Sequence, residues 1–260
     1  MAVETHVVPP QDLRDRIRSG DVAHLAAANF SKMALAGLDF SRAGLRAANF
    51  WQADLTAAQL VGADLQEADL RGAMLQGADL SGAQMAAAML LRSRLPGASL
   101  VGARLEQAEL IEADLQGADL RSAYLFKARL TAANLAKANL AQANLERADL
   151  SHSNLAGADL RFARLQAARL QHVSGAGAIF LRAFLENADL RGADLAAATF
   201  QQAFLRGADL RGADLSAAQL GGADLSGARL QRARLVGAVY DARTRWPIGF
   251  DPAQAGAVHA

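Results

Sequence analysis

Residues 63–72 read Ala-Asp-Leu-Gln-Glu-Ala-Asp-Leu-Arg-Gly, which is two copies of a five-residue pattern that extends over most of the chain. From Leu25 to Tyr240, every residue whose number is a multiple of five is large and apolar except Gly175, and leucine holds 36 of these 44 positions. Alanine lies two residues before the large residue in 39 of the 44 repeats. The register continues for about 218 residues without an insertion. This regularity predicts one small structural unit repeated along the chain.

A period of five residues fits neither a straight α-helix nor a straight β-strand. Successive leucines would drift by about 140° around a helix, and in a straight strand they would alternate between its two faces. The chain must therefore turn once in every repeat. If it does, the leucine and the alanine two residues before it can both point inward, and large and small side chains then fill a narrow interior in layers.

Motifs such as Ala63-Asp64-Leu65-Gln66-Glu67 and Ala193-Asp194-Leu195-Ala196-Ala197 resemble the pentapeptide-repeat family, and the resemblance covers about five-sixths of the chain. It implies an all-β fold, a right-handed quadrilateral β-helix with four pentapeptides in each coil, so that residues twenty apart stack. The 44 repeats would then make about 11 coils, roughly 50 Å long at ~4.8 Å between neighbouring strands. We call the pentapeptides centred on residues 25, 45, 65 and so on the first face. Those centred five, ten and fifteen residues later are the second, third and fourth faces.

The two ends of the chain differ from the repeat, which divides the sequence into residues 1–22, 23–240 and 241–260. In the first segment, Leu13 and Ile17 lie four residues apart among charged residues, a spacing that predicts a short amphipathic helix capping the first coil. We expect the residues before this helix to form a disordered or loosely docked tail.

The segment after the repeat contains Trp246-Pro247-Ile248-Gly249-Phe250. It resembles the closing segment of many pentapeptide-repeat proteins, in which an aromatic turn covers the last coil. The resemblance therefore implies that Trp246 and Phe250 form an aromatic cap. We expect residues 251–260 to be mobile.

Composition narrows the classes of function. The 27 Lys and Arg residues balance 26 Asp and Glu residues, which removes the simplest electrostatic argument for a nucleic-acid binder or an acidic mimic of nucleic acid. The chain has no cysteine, hence no disulfide and no cysteine-ligated metal. Residues 1–10 lack the apolar run of a secretory signal, and no run approaches the roughly 18 residues of a membrane span. We expect a bacterial, cytoplasmic protein without a membrane span.

Polar residues in the repeat point to turns rather than to catalysis. The position before the large residue carries 14 Asp and six Asn, whose short side chains suit tight turns because they can bond the local backbone. His152 and His172 are twenty residues apart and should be neighbours, but two imidazoles do not make a zinc site. The sequence has no arrangement of nucleophile and base and no phosphate-binding loop. We therefore predict no enzymatic activity, no cofactor and no metal.

Outward apolar residues are the candidate partner-binding residues. Three aromatic residues on the first face occupy the position before the leucine, a fourth lies beside one of them, and three aliphatic or thioether residues lie on the second face. These residues are Tyr124, Phe126, Phe184, Phe204, Met89, Leu91 and Ile111. They either tuck into the corners and stack on one another, or form an apolar docking patch for a partner protein or a second copy of the chain.

Charge and glycine distinguish the other outward positions. On the second face, the column Glu109, Arg129, Asp149, Arg169, Asp189 alternates in sign and predicts a self-neutralising ladder. Farther along, Arg191, Arg211, Arg229 and Arg232 make the face locally basic, either as a solvated surface or as a docking site for an acidic protein or nucleic acid. The glycines of the third face are either corner residues or a flat packing surface. Gly175 predicts a local packing defect or a slight bend.

Together these observations favour a non-enzymatic structural or interaction protein, a rigid β-helical scaffold for protein-protein contacts or self-association. The family resemblance implies an alternative, a DNA-mimicking regulator of DNA gyrase or topoisomerase of the quinolone-resistance or toxin-resistance type. The balanced charge and the absence of a loop insertion depart from that alternative. An accessory role in a membrane-associated or photosynthetic process rests on the breadth of the family alone.

Overall fold

A computed structural model of the chain describes residues 25–260. The predicted capping helix with Leu13 and Ile17 lies outside the described residues. Within residues 25–260 there is no α-helix, and the named strands are β1 (Val239–Tyr240) and β2 (Val258–His259), which pair in parallel. Everything before β1 is a series of turns joined by single β-bridges, because each side of the coil is too short to form a longer strand.

Parallel bridges join residues that are twenty positions apart, from Asn29 with Asn49 to Gln219 with Val239. Each pentapeptide ends in a turn, so four pentapeptides complete one coil and the structure is a four-sided β-helix. The predicted stacking of residues twenty apart is therefore confirmed. The register changes only near the end of the repeat, where Asp224 pairs with Arg245.

Each turn follows the large residue and has the same backbone form. The carbonyl oxygen of Leu65, for example, accepts a hydrogen bond from the N–H of Ala68 at 3.1 Å. The second residue after the large one has a positive φ in every repeat from Ala27 to Gly237, which together with this bond is typical of a type II turn. Glycine occupies 16 of these 43 corner positions, because it adopts positive φ without steric cost. The glycines of the third face are thus corner residues, as one of the two interpretations predicted.

Backbone hydrogen bonding explains the aspartates and asparagines. In a typical repeat, three N–H groups donate to the next or the previous coil and a fourth closes the turn. The fifth N–H, on the residue after the large one, has no backbone acceptor. All 14 Asp and six Asn residues in the position before the large residue accept a hydrogen bond from this group, as Asp64 does from the N–H of Gln66 at 3.2 Å. The predicted turn role of these residues is confirmed.

The core consists of the stacked large residues and the alanines, nearly all of them fully buried. Phenylalanines stack where they fall in successive coils: the ring centroids of Phe180 and Phe200 lie 4.7 Å apart with an interplanar angle of 1°. Burial of a side chain of this size contributes roughly 1.5 to 3 kcal/mol. The repeated stacks can therefore stabilise the coil without a cofactor.

Gly175 leaves a large position unfilled, but its neighbours occupy the nearby space. A Cβ atom on Gly175 would lie 3.0 Å from Leu195 Cδ2 and 3.8 Å from Val173 Cγ2. The turn before it is stretched, since the hydrogen bond from the N–H of Val173 to the carbonyl oxygen of Leu170 is 3.4 Å long. The packing defect or slight bend at Gly175 stays a prediction.

The expectation that residues 251–260 are mobile is wrong. The N–H of Val258 donates to the carbonyl oxygen of Ala238 at 2.7 Å, and that of Ala260 donates to Tyr240 at 2.9 Å. The segment adds β2 to the end of the ladder because the last repeat would otherwise leave these carbonyl groups without partners.

The aromatic residues of the closing segment also contact one another. Trp246 stacks on Phe250 at 5.2 Å and meets Tyr240 edge-on at 5.5 Å. Trp246 and Phe250 are both partly buried against the core.

Candidate interaction surfaces

Ion pairs within single repeats neutralise much of the outer surface. In the sequence Asp69-Leu70-Arg71, the guanidinium of Arg71 donates to both carboxylate oxygens of Asp69, through Nε at 2.8 Å and a terminal nitrogen at 2.6 Å. We call this arrangement an Asp-x-Arg clamp. The other clamps are Asp119–Arg121, Asp159–Arg161, Asp189–Arg191 and Asp209–Arg211. Arg243 instead donates through Nε and a terminal nitrogen to one carboxylate oxygen of Asp241.

The clamps change the acidity of their carboxyl groups. Hydrogen bonds from the arginine side chain hold the pKa of Asp69, Asp119 and Asp209 below the ordinary value of 3.8. These carboxylates are ionised at neutral pH and already hydrogen-bonded to an arginine and to a backbone N–H. This geometry suits a structural role better than general acid-base catalysis.

The alternating column of the second face forms ion pairs between coils. Arg129 contacts Glu109 at 3.0 Å and Arg169 contacts Asp149 at 3.7 Å. The predicted self-neutralising ladder is confirmed for these two pairs. Exposed pairs of this kind contribute at most about 1 kcal/mol each, so their main effect is to remove net charge from this part of the face.

Two of the predicted aromatic residues come together on the first face. Phe184 and Phe204 stack with ring centroids 5.0 Å apart and an interplanar angle of 5°, and Phe204 remains 42% exposed. Tyr124 is 48% exposed but lies three coils before Phe184. Asn144 and Arg164 occupy the same position in the two coils between them. The structure therefore separates Tyr124 from the phenylalanine pair.

Phe162 also belongs to this surface, and the sequence interpretation did not include it. It is 40% exposed at the corner that leads into the first face, and the guanidinium of Arg182 lies 6.0 Å from its ring centroid. Arg182 also donates to the side chain of Gln202 at 2.7 Å. The sequence signal for Phe162 is a phenylalanine at a corner position, whereas the predicted aromatic residues Tyr124, Phe184 and Phe204 lie in the position before the leucine. We call Phe162, Phe184 and Phe204 the first-face aromatic group.

The remaining apolar candidates lie in less open positions. Phe126 is partly buried, and the Nζ atom of Lys127 lies 5.2 Å from its ring. Met89, Leu91 and Ile111 on the second face are also partly buried. Leu91 lines a shallow depression of about 450 Å³ with the exposed Trp51, which lies two coils earlier.

The arginine-rich part of the second face encloses a larger depression of about 680 Å³. We call it the basic depression, and its lining residues are Arg191, Arg211, Gly212, Arg229, Gln231 and Arg232. The structure thus brings together the four arginines that the twenty-residue spacing predicted to be neighbours.

His152 and His172 are neighbours, as predicted, with stacked rings whose centroids are 5.2 Å apart. In the described part of the chain, no group of three or more His, Cys, Asp or Glu residues could hold a metal ion. No helix among residues 25–260 is long and apolar enough to cross a membrane.

The repeat also shows to which protein family the chain belongs. The family model for pentapeptide repeats matches the chain in eight copies, which together span residues 23–125 and 128–232. The chain belongs to the pentapeptide repeat family. Comparison of this pentapeptide repeat protein with curated proteins gives no significant match.

Solved structures of other pentapeptide repeat proteins resemble the chain. HetL from the cyanobacterium Nostoc sp. strain PCC 7120, which is involved in heterocyst differentiation regulation, is 36% identical over 90% of this chain and 97% of that chain, with a TM-score of 0.35. Rfr23 from the cyanobacterium Cyanothece 51142 is 30% identical over 45% of this chain and 90% of its own, with a TM-score of 0.29. A variant of QnrB1, a plasmid-mediated fluoroquinolone resistance protein, is 17% identical over 80% of this chain and 86% of its own, with a TM-score of 0.42.

Proposed function

We propose that this pentapeptide repeat protein is a non-enzymatic scaffold that binds a protein partner through the first-face aromatic group. The observation that carries the proposal is the stacked pair Phe184 and Phe204 on the outside of the coil, in which Phe184 is partly buried and Phe204 is exposed. Aromatic side chains with arginine beside them are the residues that most often dominate binding energy at protein interfaces.

The local hydrogen bonding supports this interpretation. Asp or Asn in the position of Phe184 or Phe204 would accept a hydrogen bond from the N–H two residues later, on Glu186 or Arg206. In the described structure these two N–H groups have no acceptor. A hydrogen bond of this kind contributes about 1 kcal/mol. Both phenylalanines therefore forgo a turn bond, and Phe204 in addition exposes apolar surface, which folding alone does not favour.

The surrounding charges indicate the chemistry of the partner. The guanidinium of Arg182 lies against the ring of Phe162 and has no ion pair among residues 25–260. Arg164, one coil before Phe184, has one long ion pair, with a nitrogen-oxygen distance of 3.5 Å to Glu146. A partner segment with an apolar side chain flanked by carboxylates would complement this surface. Tyr124, Phe126, Met89, Leu91 and Ile111 stay candidates for secondary contacts.

The same proposal includes the organisation of the chain. We infer a right-handed coil of about 11 turns over residues 23–240, an N-terminal cap over residues 1–22 that uses Leu13 and Ile17, and a C-terminal cap over residues 241–260. The contact between Trp246 and Phe250 against the core supports the C-terminal cap. A cytoplasmic location stays a proposal, compatible with the absence of cysteine.

An affinity capture tests the partner surface. The immobilised wild-type chain, a Phe184→Asp/Phe204→Asp variant and an Arg182→Glu variant would be compared on extracts of the native cell. Trp51→Asp is the matched control at an exposed aromatic residue on the second face. We expect one protein to be retained by the wild type and by the control and to be lost from the other two. Sedimentation of the purified chain shows whether the partner is a second copy. Retention of the same proteins by the double variant would remove the aromatic group from the interface.

The alternative, a DNA-mimicking regulator of DNA gyrase or topoisomerase, needs a face of one charge sign. The ion pairs Arg129–Glu109 and Arg169–Asp149 neutralise the second face instead, and the C-terminal part of that face is basic. A gyrase supercoiling assay decides between the two functions. Inhibition or protection at micromolar concentrations of this protein would favour the alternative over the scaffold.

A further inference from the structure

The basic depression lies at a corner of the second face where Gly212 lacks a side chain and no neighbouring side chain takes its place. Along this corner column the residues are His172, Gly192, Gly212 and Arg232, each one coil from the next. The ring of His172 leans over Gly192, where a Cβ atom would lie 2.7 Å from the imidazole. At Gly212 no atom lies within 4 Å of the place that a Cβ would occupy. The depression therefore opens above Gly212 and is bounded by the side chains of the neighbouring columns.

Positive charge exceeds negative charge at this point of the surface. Arg191 and Arg211 clamp Asp189 and Asp209, with nitrogen-oxygen distances of 2.6 to 2.8 Å. Arg229 reaches only the already clamped Asp209, at 3.8 Å.

Arg232 has no ion pair among residues 25–260. Four guanidinium groups thus face two carboxylates, which leaves a local charge of +2. Earlier on the same face, by contrast, Glu109, Arg129, Asp149 and Arg169 alternate and cancel.

The clamps also fix the positions of two of these guanidinium groups. Each clamped arginine uses Nε and one terminal nitrogen on its aspartate, so its other terminal nitrogen is available to a ligand. A guanidinium held in this way loses less side-chain entropy when it binds an anion. The site is therefore partly organised before a ligand arrives.

We propose that the basic depression binds an oligophosphate, a ligand that carries two or more phosphate groups. Arginine forks match the geometry of phosphate oxygens, and each terminal phosphate carries about 1.5 to 2 negative charges, enough for one or two groups to balance the local excess. The volume of about 680 Å³ lies within the range of small-molecule sites. No aromatic side chain lines the depression, so recognition rests on the phosphate groups and not on a stacked base.

Calorimetric titration with inorganic tripolyphosphate tests the proposal on the full chain. We expect binding by the wild type that weakens as salt concentration rises. An Arg229→Gln/Arg232→Gln variant should bind at least about 10-fold more weakly, because it loses two positive charges and the charge-assisted hydrogen bonds that they would donate to phosphate oxygens. Arg121→Gln, which breaks a clamp of the same geometry on the fourth face, is the matched control and should bind like the wild type.

A second variant fills the floor of the site. Gly212→Glu places a carboxylate in the depression, and Glu67 and Glu112 occupy equivalent corners with positive φ, so the fold tolerates glutamate there. We expect it to abolish binding, whereas Gly117→Glu, at an open corner on the third face, should have no effect.

Three results would overturn the proposal: no binding by the wild type at millimolar tripolyphosphate, equal affinities of Gly212→Glu and Gly117→Glu, or citrate binding as tightly as tripolyphosphate. The last result would show a general anion surface without phosphate selectivity. If Gly212→Glu fails to fold, the double variant Arg229→Gln/Arg232→Gln, whose substituted residues are exposed, tests the proposal by itself. The outcome is independent of the first-face aromatic group, which lies on a different face.

Discussion

Phe184 and Phe204 stack on the outside of the coil with their ring planes 5° apart, in the same twenty-residue register that stacks Phe180 and Phe200 inside it. The inner rings are fully buried, whereas Phe204 is 42% exposed. One repeat geometry thus produces two aromatic pairs in different environments. The inner pair contributes to folding through burial, and the outer pair leaves the exposed part of Phe204 available for binding.

Alanine substitutions should separate these two roles. Phe200→Ala removes a fully buried ring and should lower the free energy of unfolding by about 3 to 5 kcal/mol. Phe204→Ala removes an exposed ring and should change it by less than about 1 kcal/mol. Urea denaturation followed by circular dichroism measures both. A loss at Phe204 as large as that at Phe200 would show that the outer pair is structural.

Asp119 combines a turn hydrogen bond with a clamp, and two substitutions distinguish them. Asp119→Asn retains the acceptor for the N–H of Arg121, as at the six natural asparagine positions, and loses only the exposed ion pair. Asp119→Asn should lower the free energy of unfolding by less than about 0.5 kcal/mol. Asp119→Ala also leaves the N–H of Arg121 unbonded and should cost about 1 kcal/mol more. Thermal denaturation of both variants provides the measurement, and equal losses would mean that the ion pair, and not the turn, is the stabilising element.

The clamps also predict how stability depends on pH. Because the pKa of Asp69, Asp119 and Asp209 is lowered in the folded chain, their contribution is fully present above the ordinary value of 3.8 and is lost as pH falls below it through the lowered pKa. The urea midpoint should therefore stay nearly constant between about pH 7 and pH 5 and fall steeply below about pH 4. Carboxyl NMR titration of Arg121→Gln should show the pKa of Asp119 rising toward its ordinary value. A midpoint that falls between pH 7 and pH 5 would point to other titrating groups.

Sequence reasoning succeeded where the repeat itself carries the information. One backbone unit is repeated along the coil, and it fixes where the large residues, the alanines and the Asp or Asn turn residues lie. The structure of one repeat therefore predicts the structure of the others. Phe162 was missed because its importance comes from Arg182 in the next coil, twenty residues away. The pairing of residues 251–260 was missed because it uses backbone groups, which leave no side-chain pattern. The depression above Gly212 arises from a missing side chain, which sequence alone could not distinguish from an ordinary corner.

Gly175 and Val173 should show coupled energetics. Val173→Ala alone enlarges the space around Gly175 and should lower the free energy of unfolding by about 1 to 2 kcal/mol. Gly175→Leu alone places a large side chain where Leu195 and Val173 already lie and should cost about 1 to 3 kcal/mol. The double variant restores the Ala-x-Leu pattern of the other repeats, so its loss should be smaller than the sum of the single losses by at least about 1 kcal/mol. Additive losses in a double-mutant cycle would show that the two positions do not compensate each other.

Residues 251–260 should protect the end of the coil. The N–H of Gly237 donates to the carbonyl oxygen of Gly256 at 2.8 Å, so a chain ending at Phe250 loses that acceptor together with the bonds of β2. Amide hydrogen exchange at Gly237 should then accelerate by at least about 10-fold, because an unbonded amide near a chain end exchanges through local opening. Gly117, whose N–H donates to Ala136 in the middle of the coil, is the internal control and should exchange as before. Equal exchange rates at Gly237 in the full and the shortened chain would mean that residues 251–260 do not protect the end of the coil.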